Sequence, residues 1–126
     1  MLIDSNIIIY AAKPESSELR SLITEHAPAV SAVSYVEVLG YHKLSTQERE
    51  YFEMFFAAAP VLAISDDVLV QAVKLRQPRK MTLGDALVAG TALVYELTLV
   101  TRNIKDFDWI DRLSLLNPFT SDETAI

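Results

Sequence analysis

The stretch Thr82-Leu83-Gly84-Asp85-Ala86-Leu87-Val88-Ala89-Gly90-Thr91-Ala92-Leu93-Val94-Tyr95-Glu96-Leu97-Thr98-Leu99-Val100-Thr101 decides the fold. Residues 82–97 form a helix-length run with Ala, Gly and Leu on most sides, the pattern of a helix buried all round. Thr98 to Thr101 then switches to a short apolar strand, and a helix feeding a strand is the repeating step of an α/β protein. Within this apolar stretch one carboxylate, Asp85, stands near the start of the helix. A charge in an apolar segment is costly unless it is paired, hydrogen-bonded or bound to a cation.

Working outward, the same alternation recurs. Met1 to Ile3 reads as a strand, with Ser5-Asn6 capping a helical turn over Ile7 to Ala12. A polar-apolar helix over Glu18 to Glu25 leads to a strand at Ala29 to Ser31. Ser34-Tyr35-Val36-Glu37 has capping-box spacing and opens a helix to about Lys43. Ser45 starts another helix, ending at Ala58, before a strand over Val61 to Ile64. Ser65-Asp66-Asp67 caps a helix to about Arg76, and Leu113 to Leu116 supplies a last strand. The expectation is an α/β three-layer sandwich, a central parallel sheet of about four or five strands flanked by helices.

The chain has 126 residues, enough for a single domain with a full core. It is 51% hydrophobic and 22% charged, which argues against disorder, and the absence of cysteine excludes thiolate sites and disulfides. No apolar run approaches the roughly 18 residues of a membrane span. Met1 leads straight into an apolar segment without a basic stretch, unlike a secretory signal. A soluble cytoplasmic protein with no membrane association is expected. The net charge of −6 disfavours indiscriminate adhesion to nucleic acid. The charge is unevenly spread: residues 1–70 carry 4 basic and 10 acidic side chains, and residues 71–112 carry 7 basic and 5 acidic. A basic lip beside an acidic pocket is therefore compatible with the composition.

Four acids, Asp4, Glu37, Asp85 and Asp106, stand where a strand ends or a helix begins. In an open parallel sheet, ligands bind beyond the carboxyl ends of the strands, so all four can reach one site. Each also has a plainer account. Glu37 and Asp85 occupy the third helical position relative to Ser34 and Thr82, where an acid merely satisfies amide donors. Asp106 fits an ordinary loop aspartate, whereas Asp4 is the member that capping explains least well. Oxygen donors without thiolates favour a hard cation such as Mg²⁺ or Mn²⁺. His26, at a helix end, and His42, on an amphipathic helix, read as surface histidines, and Asp66-Asp67 read as helix caps.

Leu2-Ile3-Asp4-Ser5-Asn6, Ser34-Tyr35-Val36-Glu37-Val38-Leu39-Gly40, Leu83-Gly84-Asp85-Ala86-Leu87-Val88-Ala89 and Val100-Thr101-Arg102-Asn103-Ile104-Lys105-Asp106-Phe107 together resemble the PIN-domain nucleases, most closely the VapC-type toxins of toxin–antitoxin pairs. The resemblance runs from Met1 to about Pro118. It implies a PIN domain over residues 1–118, followed by an acidic tail over 119–126. It further implies a Mg²⁺- or Mn²⁺-dependent endoribonuclease whose metal-binding and catalytic acids are Asp4, Glu37, Asp85 and Asp106. Ser5 and Asn103 are implied as supporting polar groups. Arg79, Lys80, Arg102 and Lys105 are candidates to hold RNA phosphates. The resemblance also implies a homodimer and a cognate antitoxin partner, for which Tyr35, Tyr41, Tyr51, Phe52, Phe55 and Phe56 are candidate contacts, with Phe52 and Phe56 expected in the core.

Other readings remain open on the residues alone. One is a stand-alone RNA-processing nuclease of the same family; another is a PIN-fold binding module without catalysis. A receiver domain would want an acidic pair after the first strand, and a haloacid-dehalogenase-like phosphatase would want Asp at position 6, where Asn6 stands. No glycine-rich phosphate loop is present.

Overall fold

The computed structural model describes residues 1–119. Pairs of helices separate the first four of five short strands: β1 (Leu2–Ile3), α1 (Ser5–Ala11), α2 (Ser17–His26), β2 (Val30–Ser31), α3 (Ala32–Leu39), α4 (Thr46–Ala58), β3 (Val61–Leu62), α5 (Asp66–Arg76), α6 (Leu83–Val94), β4 (Leu99–Val100) and β5 (Leu115–Leu116). A single 3-10 turn covers Ile104–Asp106. All pairings are parallel. β4 lies between β1 and β5, β2 pairs with β3, and a parallel bridge between Leu2 and Ala29 joins the two groups. The Ile3 N–H donates to Ala29 O at 3.1 Å and the Ala29 N–H to Met1 O at 2.9 Å, so the backbone ladder runs through that joint. The resulting order is β3-β2-β1-β4-β5.

Alternation along the strands makes the three layers. Ile3 and Val100 enter one core with Ile7, Ile8, Leu19, Val38, Phe52 and Phe56; Leu2 and Leu99 enter the other with Leu75, Val88, Ala89, Phe107 and Ile110. The second face is covered by α5 and α6, which pack closely where Gly90 meets the α5 backbone; a methyl group there would stand 3.1 Å from Val68 O. Residues Ala86 to Ala92 are all buried, as expected of the central helix. The expected α/β sandwich with a parallel sheet is the fold observed.

Helix starts differ from the sequence reading at two places, and both bear on the acids. α1 is capped by Asp4 rather than by Ser5-Asn6: the Ile7 N–H donates to Asp4 Oδ1 at 3.0 Å. α3 begins three residues early, capped by Ser31, because β2 runs directly into it without a linker. Ser34 is therefore inside the helix and fully buried, and Glu37 lies in the second turn, out of reach of a cap. α3 ends at Leu39, which leaves His42 in a turn rather than on a helix. α6 stops at Val94 rather than Leu97. Glu96 takes a left-handed conformation (φ 55°), and the Leu97 N–H closes back on Ala92 O at 2.9 Å. Ser65 caps α5 with Asp66 and Asp67 in its first turn, as expected.

Candidate active site

From β1 the chain steps outward through β2 to β3, then returns to the other side of β1 as β4. The strand order thus reverses between β1 and β4, and the crevice beyond their carboxyl ends is where open α/β sheets bind ligands. Ile3 pairs with Val100, so the next residues, Asp4 and Thr101, face each other across that crevice. Thr101 is fully buried and hydrogen-bonds the Asp4 carboxylate.

Asp4 is itself only 7% exposed. A carboxylate that did nothing but cap a helix would be held below its ordinary range by its amide donors. Asp4 is instead pushed up, chiefly by burial and further by the charge of Glu37, against the hydrogen bonds from Thr101, Ile7 and Asn6.

Glu37 is exposed, yet its position is constrained from two sides. Ser5 Oγ donates to Glu37 Oε1 at 2.7 Å and is itself 3.0 Å from the buried Ser34 Oγ. The other oxygen rests on Gly84, where a methyl group would lie 2.5 Å from Glu37 Oε2. With glycine here, the Glu37 carboxylate of α3 rests directly on the first turn of α6; a methyl group would require that carboxylate to shift. The next residue is Asp85. Its N–H donates to Thr82 Oγ1 at 3.1 Å, so Thr82 caps the helix, but the Thr82 N–H does not bond back to the Asp85 carboxylate and the amide-satisfying role expected of that acid is not seen. Its carboxyl group is raised, first by burial and then by the charges of Asp106, Asp4 and Glu37, with a Thr82 hydrogen bond opposing.

Asp106 stands exposed in the 3-10 turn, with Asn103 at the head of that turn and the Asn103 N–H donating to Thr101 Oγ1 at 3.1 Å. The structure therefore brings Asp4, Glu37 and Asp106 within electrostatic reach of Asp85, and Glu37 within reach of Asp4, and no cationic side chain contributes to the shift of either Asp4 or Asp85. Among the described residues, no three acids or imidazoles converge as a ready-made metal cage. The donor chemistry fits a hard divalent cation, because like charges held together without a counter-ion are relieved by one. Glu37 and Asp106 are the two exposed members of the set.

The expected phosphate-binding cations are spread more widely. The Arg102 guanidinium lies 5.2 Å from the Tyr10 ring centre and 4.8 Å from that of Phe119. Arg79 lies 4.9 Å from the Trp109 ring. Lys105 is exposed beside Asp106, and Lys80 is exposed in the segment before α6. Phe52 and Phe56 are core, as expected, while Tyr35 and Tyr41 are 49% and 51% exposed. The roles of Thr101 and Gly84 escaped the sequence reading, and Ser34, a cap by its spacing, instead meets Ser5. For Thr101 a signal existed, since it follows its apolar strand as Asp4 follows β1.

The PIN-domain family model matches residues 1–113, which contain all four acids. The chain belongs to the PIN-domain family. This PIN domain is similar to Ribonuclease VapC2 of Rickettsia felis, at 27% identity over 128 residues, covering 92% of this chain and 96% of the relative. A toxin–antitoxin complex from Klebsiella pneumoniae contains a similar chain, at 29% identity and TM-score 0.75, covering 94% of this chain and 97% of that one. VapBC2 of Rickettsia felis, bound to a DNA fragment from its promoter, shares the fold at TM-score 0.81 and 23% identity, covering 92% of this chain and 96% of the other. No helix among the described residues is long and apolar enough to cross a membrane.

Proposed function

We propose that this PIN domain is a divalent-metal-dependent endoribonuclease and acts in the cytoplasm as the toxin of a toxin–antitoxin pair. The observation that carries the chemistry is the set of four carboxylates at the β1/β4 switch point, two of them raised by burial and mutual repulsion with no cation to relieve them. Asp4, Glu37, Asp85 and Asp106 are the residues that would hold Mg²⁺ or Mn²⁺. A cation bound there supplies an acidified water and charge stabilisation for the phosphodiester. The protein's own part is placement. Thr101 orients Asp4, while Ser5 and Gly84 set the two oxygens of Glu37. Asn103 offers an amide at the rim, and Arg102, Lys105, Arg79 and Lys80 are assigned to flanking phosphates. Similarity to chains of toxin–antitoxin complexes supports an antitoxin partner, and the acidic crevice suits a basic segment of one. A homodimer completes the proposal.

The test is cleavage of a panel of structured RNAs by the purified protein. Cleavage is expected with Mg²⁺ or Mn²⁺, none in EDTA, and none with Asp4→Asn or Asp85→Asn. Undiminished cleavage by both variants would overturn the proposed mechanism. Co-purification with the product of an adjacent small reading frame is expected of the toxin.

A further inference from the structure

A second concavity, of about 430 Å³, lies beside the acidic crevice between the end of α1, the start of α2 and the segment after β5. Tyr10 and Phe119 meet edge to face in its wall, with ring centres 5.7 Å apart. Arg102 lies over both rings and Lys13 Nζ is 4.9 Å from the Tyr10 centre. Two rings hold the guanidinium, yet among the described residues its N–H groups meet no acceptor. An arginine fixed on aromatic faces with five unused donors is prepared for an oxyanion.

We infer that this concavity is a subsite for an unpaired nucleotide flanking the scissile phosphate, with Arg102 taking its phosphate and Tyr10 and Phe119 its base. The inference rests on the ribonuclease reading above and names where the strand runs. Both ends of the subsite are tied to the acids. Arg102 directly follows Thr101, which hydrogen-bonds Asp4, and Tyr10 lies six residues beyond Asp4 along one continuous run. Six residues of helix rise about 9 Å, a gap that a short piece of single strand bridges.

The concavity is also stiff. Arg20 spends its donors on Ala11 O at 2.8 Å, Lys13 O at 2.6 Å and Pro14 O at 3.2 Å, which fixes the turn that carries Lys13. A site ordered before binding loses less on binding. Glu15 and Glu18 also line the concavity and balance the charges of Lys13 and Arg102. A small free anion gains little from such a balanced site. A nucleotide gains more, because it presents a phosphate to the cations and base N–H groups to the carboxylates. Stacking further requires a base that is not paired.

The test uses the full chain in EDTA, so that cleavage does not intervene, with fluorescence anisotropy of a labelled adenosine octanucleotide and of an RNA duplex of equal length. Arg102→Gln and Tyr10→Leu are each expected to weaken octanucleotide binding about tenfold, the scale of one lost stacking or phosphate contact. Duplex binding should change little, and Mn²⁺ affinity and thermal midpoint should stay at wild-type values. Arg102→Gln should also lower the slope of log affinity against log salt by about one. Wild-type octanucleotide affinity in both variants, in a protein that cleaves RNA with Mn²⁺, overturns the subsite and leaves the ribonuclease reading standing. A fall in Mn²⁺ affinity with Arg102→Gln overturns it too, since Arg102 would then act through Asp4. Failure of the wild type to cleave any RNA removes the ribonuclease reading and the subsite with it.

Discussion

At the start of α4, the Glu48 N–H donates to Ser45 Oγ at 3.1 Å and the Ser45 N–H returns a bond to Glu48 Oε1 at 3.0 Å. At the start of α6, the Asp85 N–H donates to Thr82 Oγ1 at 3.1 Å, but the Thr82 N–H returns no bond to the Asp85 carboxylate. Both are a hydroxyl residue followed three positions later by an acid. Their electrostatics have opposite signs. Glu48 is fully exposed, and the bonds from Ser45 hold its carboxyl group below the ordinary range. Asp85 is half-buried, and burial together with Asp106, Asp4 and Glu37 pushes its carboxyl group above that range. One acid is used up by its helix, while the other keeps an unmet demand for positive charge. At these two helix starts the directions differ although the spacing is the same.

The widest separation between the two helix starts should appear in activity. Asp85→Asn is expected to lower RNA cleavage at saturating Mn²⁺ by roughly a hundredfold or more, the scale on which one electrostatic group at a reacting centre is felt. Glu48→Gln should leave the rate at wild type. Equal rates for the two variants would erase the distinction drawn between them.

A smaller effect should follow from the seat of Glu37. Gly84→Ala places a methyl group against Glu37 Oε2 and should weaken Mn²⁺ binding by about ten- to a hundredfold, the range seen when groups that support metal ligands are lost. Alanine is also the better helix former, so the thermal midpoint should hold or rise. Weakened binding with an intact fold would show that the helix-to-helix approach, rather than stability, is what Gly84 provides.

Smaller again is the expected effect of Thr101→Val, which removes a hydrogen bond that lowers the Asp4 carboxyl group. Asp4 should then titrate higher, and the acidic limb of the cleavage profile should move to higher pH. An unmoved limb would mean that Asp4 is not the group being titrated.

The smallest effects should be in stability. Asp85 has a folded pKa above its unfolded one, so the metal-free fold binds its proton more tightly than the unfolded chain does. Its stability is then greatest below the ordinary aspartate range and falls as pH rises through the folded value. At neutral pH, Asp85→Asn should therefore raise the midpoint of the metal-free protein. Glu48 has the opposite sign. Its contribution is present above the unfolded pKa and is lost as pH falls through the folded one, so Glu48→Gln should lower the midpoint slightly at neutral pH. Calorimetry in EDTA checks both signs, and Mn²⁺ should raise the wild-type midpoint but not that of Asp85→Asn.

Much of the site was legible because strand ends are legible. Asp4 and Thr101 follow apolar pairs that become β1 and β4, and parallel pairing then places them side by side. Glu37 was harder. Its spacing from Ser34 imitates a cap, and only the direct passage of β2 into α3 shows that Ser31 takes that role. Asp4 misled in the other direction. It does cap a helix, yet burial outweighs the cap. The acidic tail expected over residues 119–126 falls outside the described residues beyond Phe119, whose own ring packs on Tyr10.

Local rules by themselves determined the order of strands and helices, the buried central helix and the candidate acids, because periodicity, caps and apolar runs act over a few residues of chain. The tertiary structure alone decided which acids share a crevice, what lies against Gly84 and what holds Arg102. Those depend on distances between segments up to about a hundred positions apart, as Asp4 and Thr101 are, and on burial. A carboxylate's charge state is set by everything packed around it, and only the folded chain brings that surrounding together.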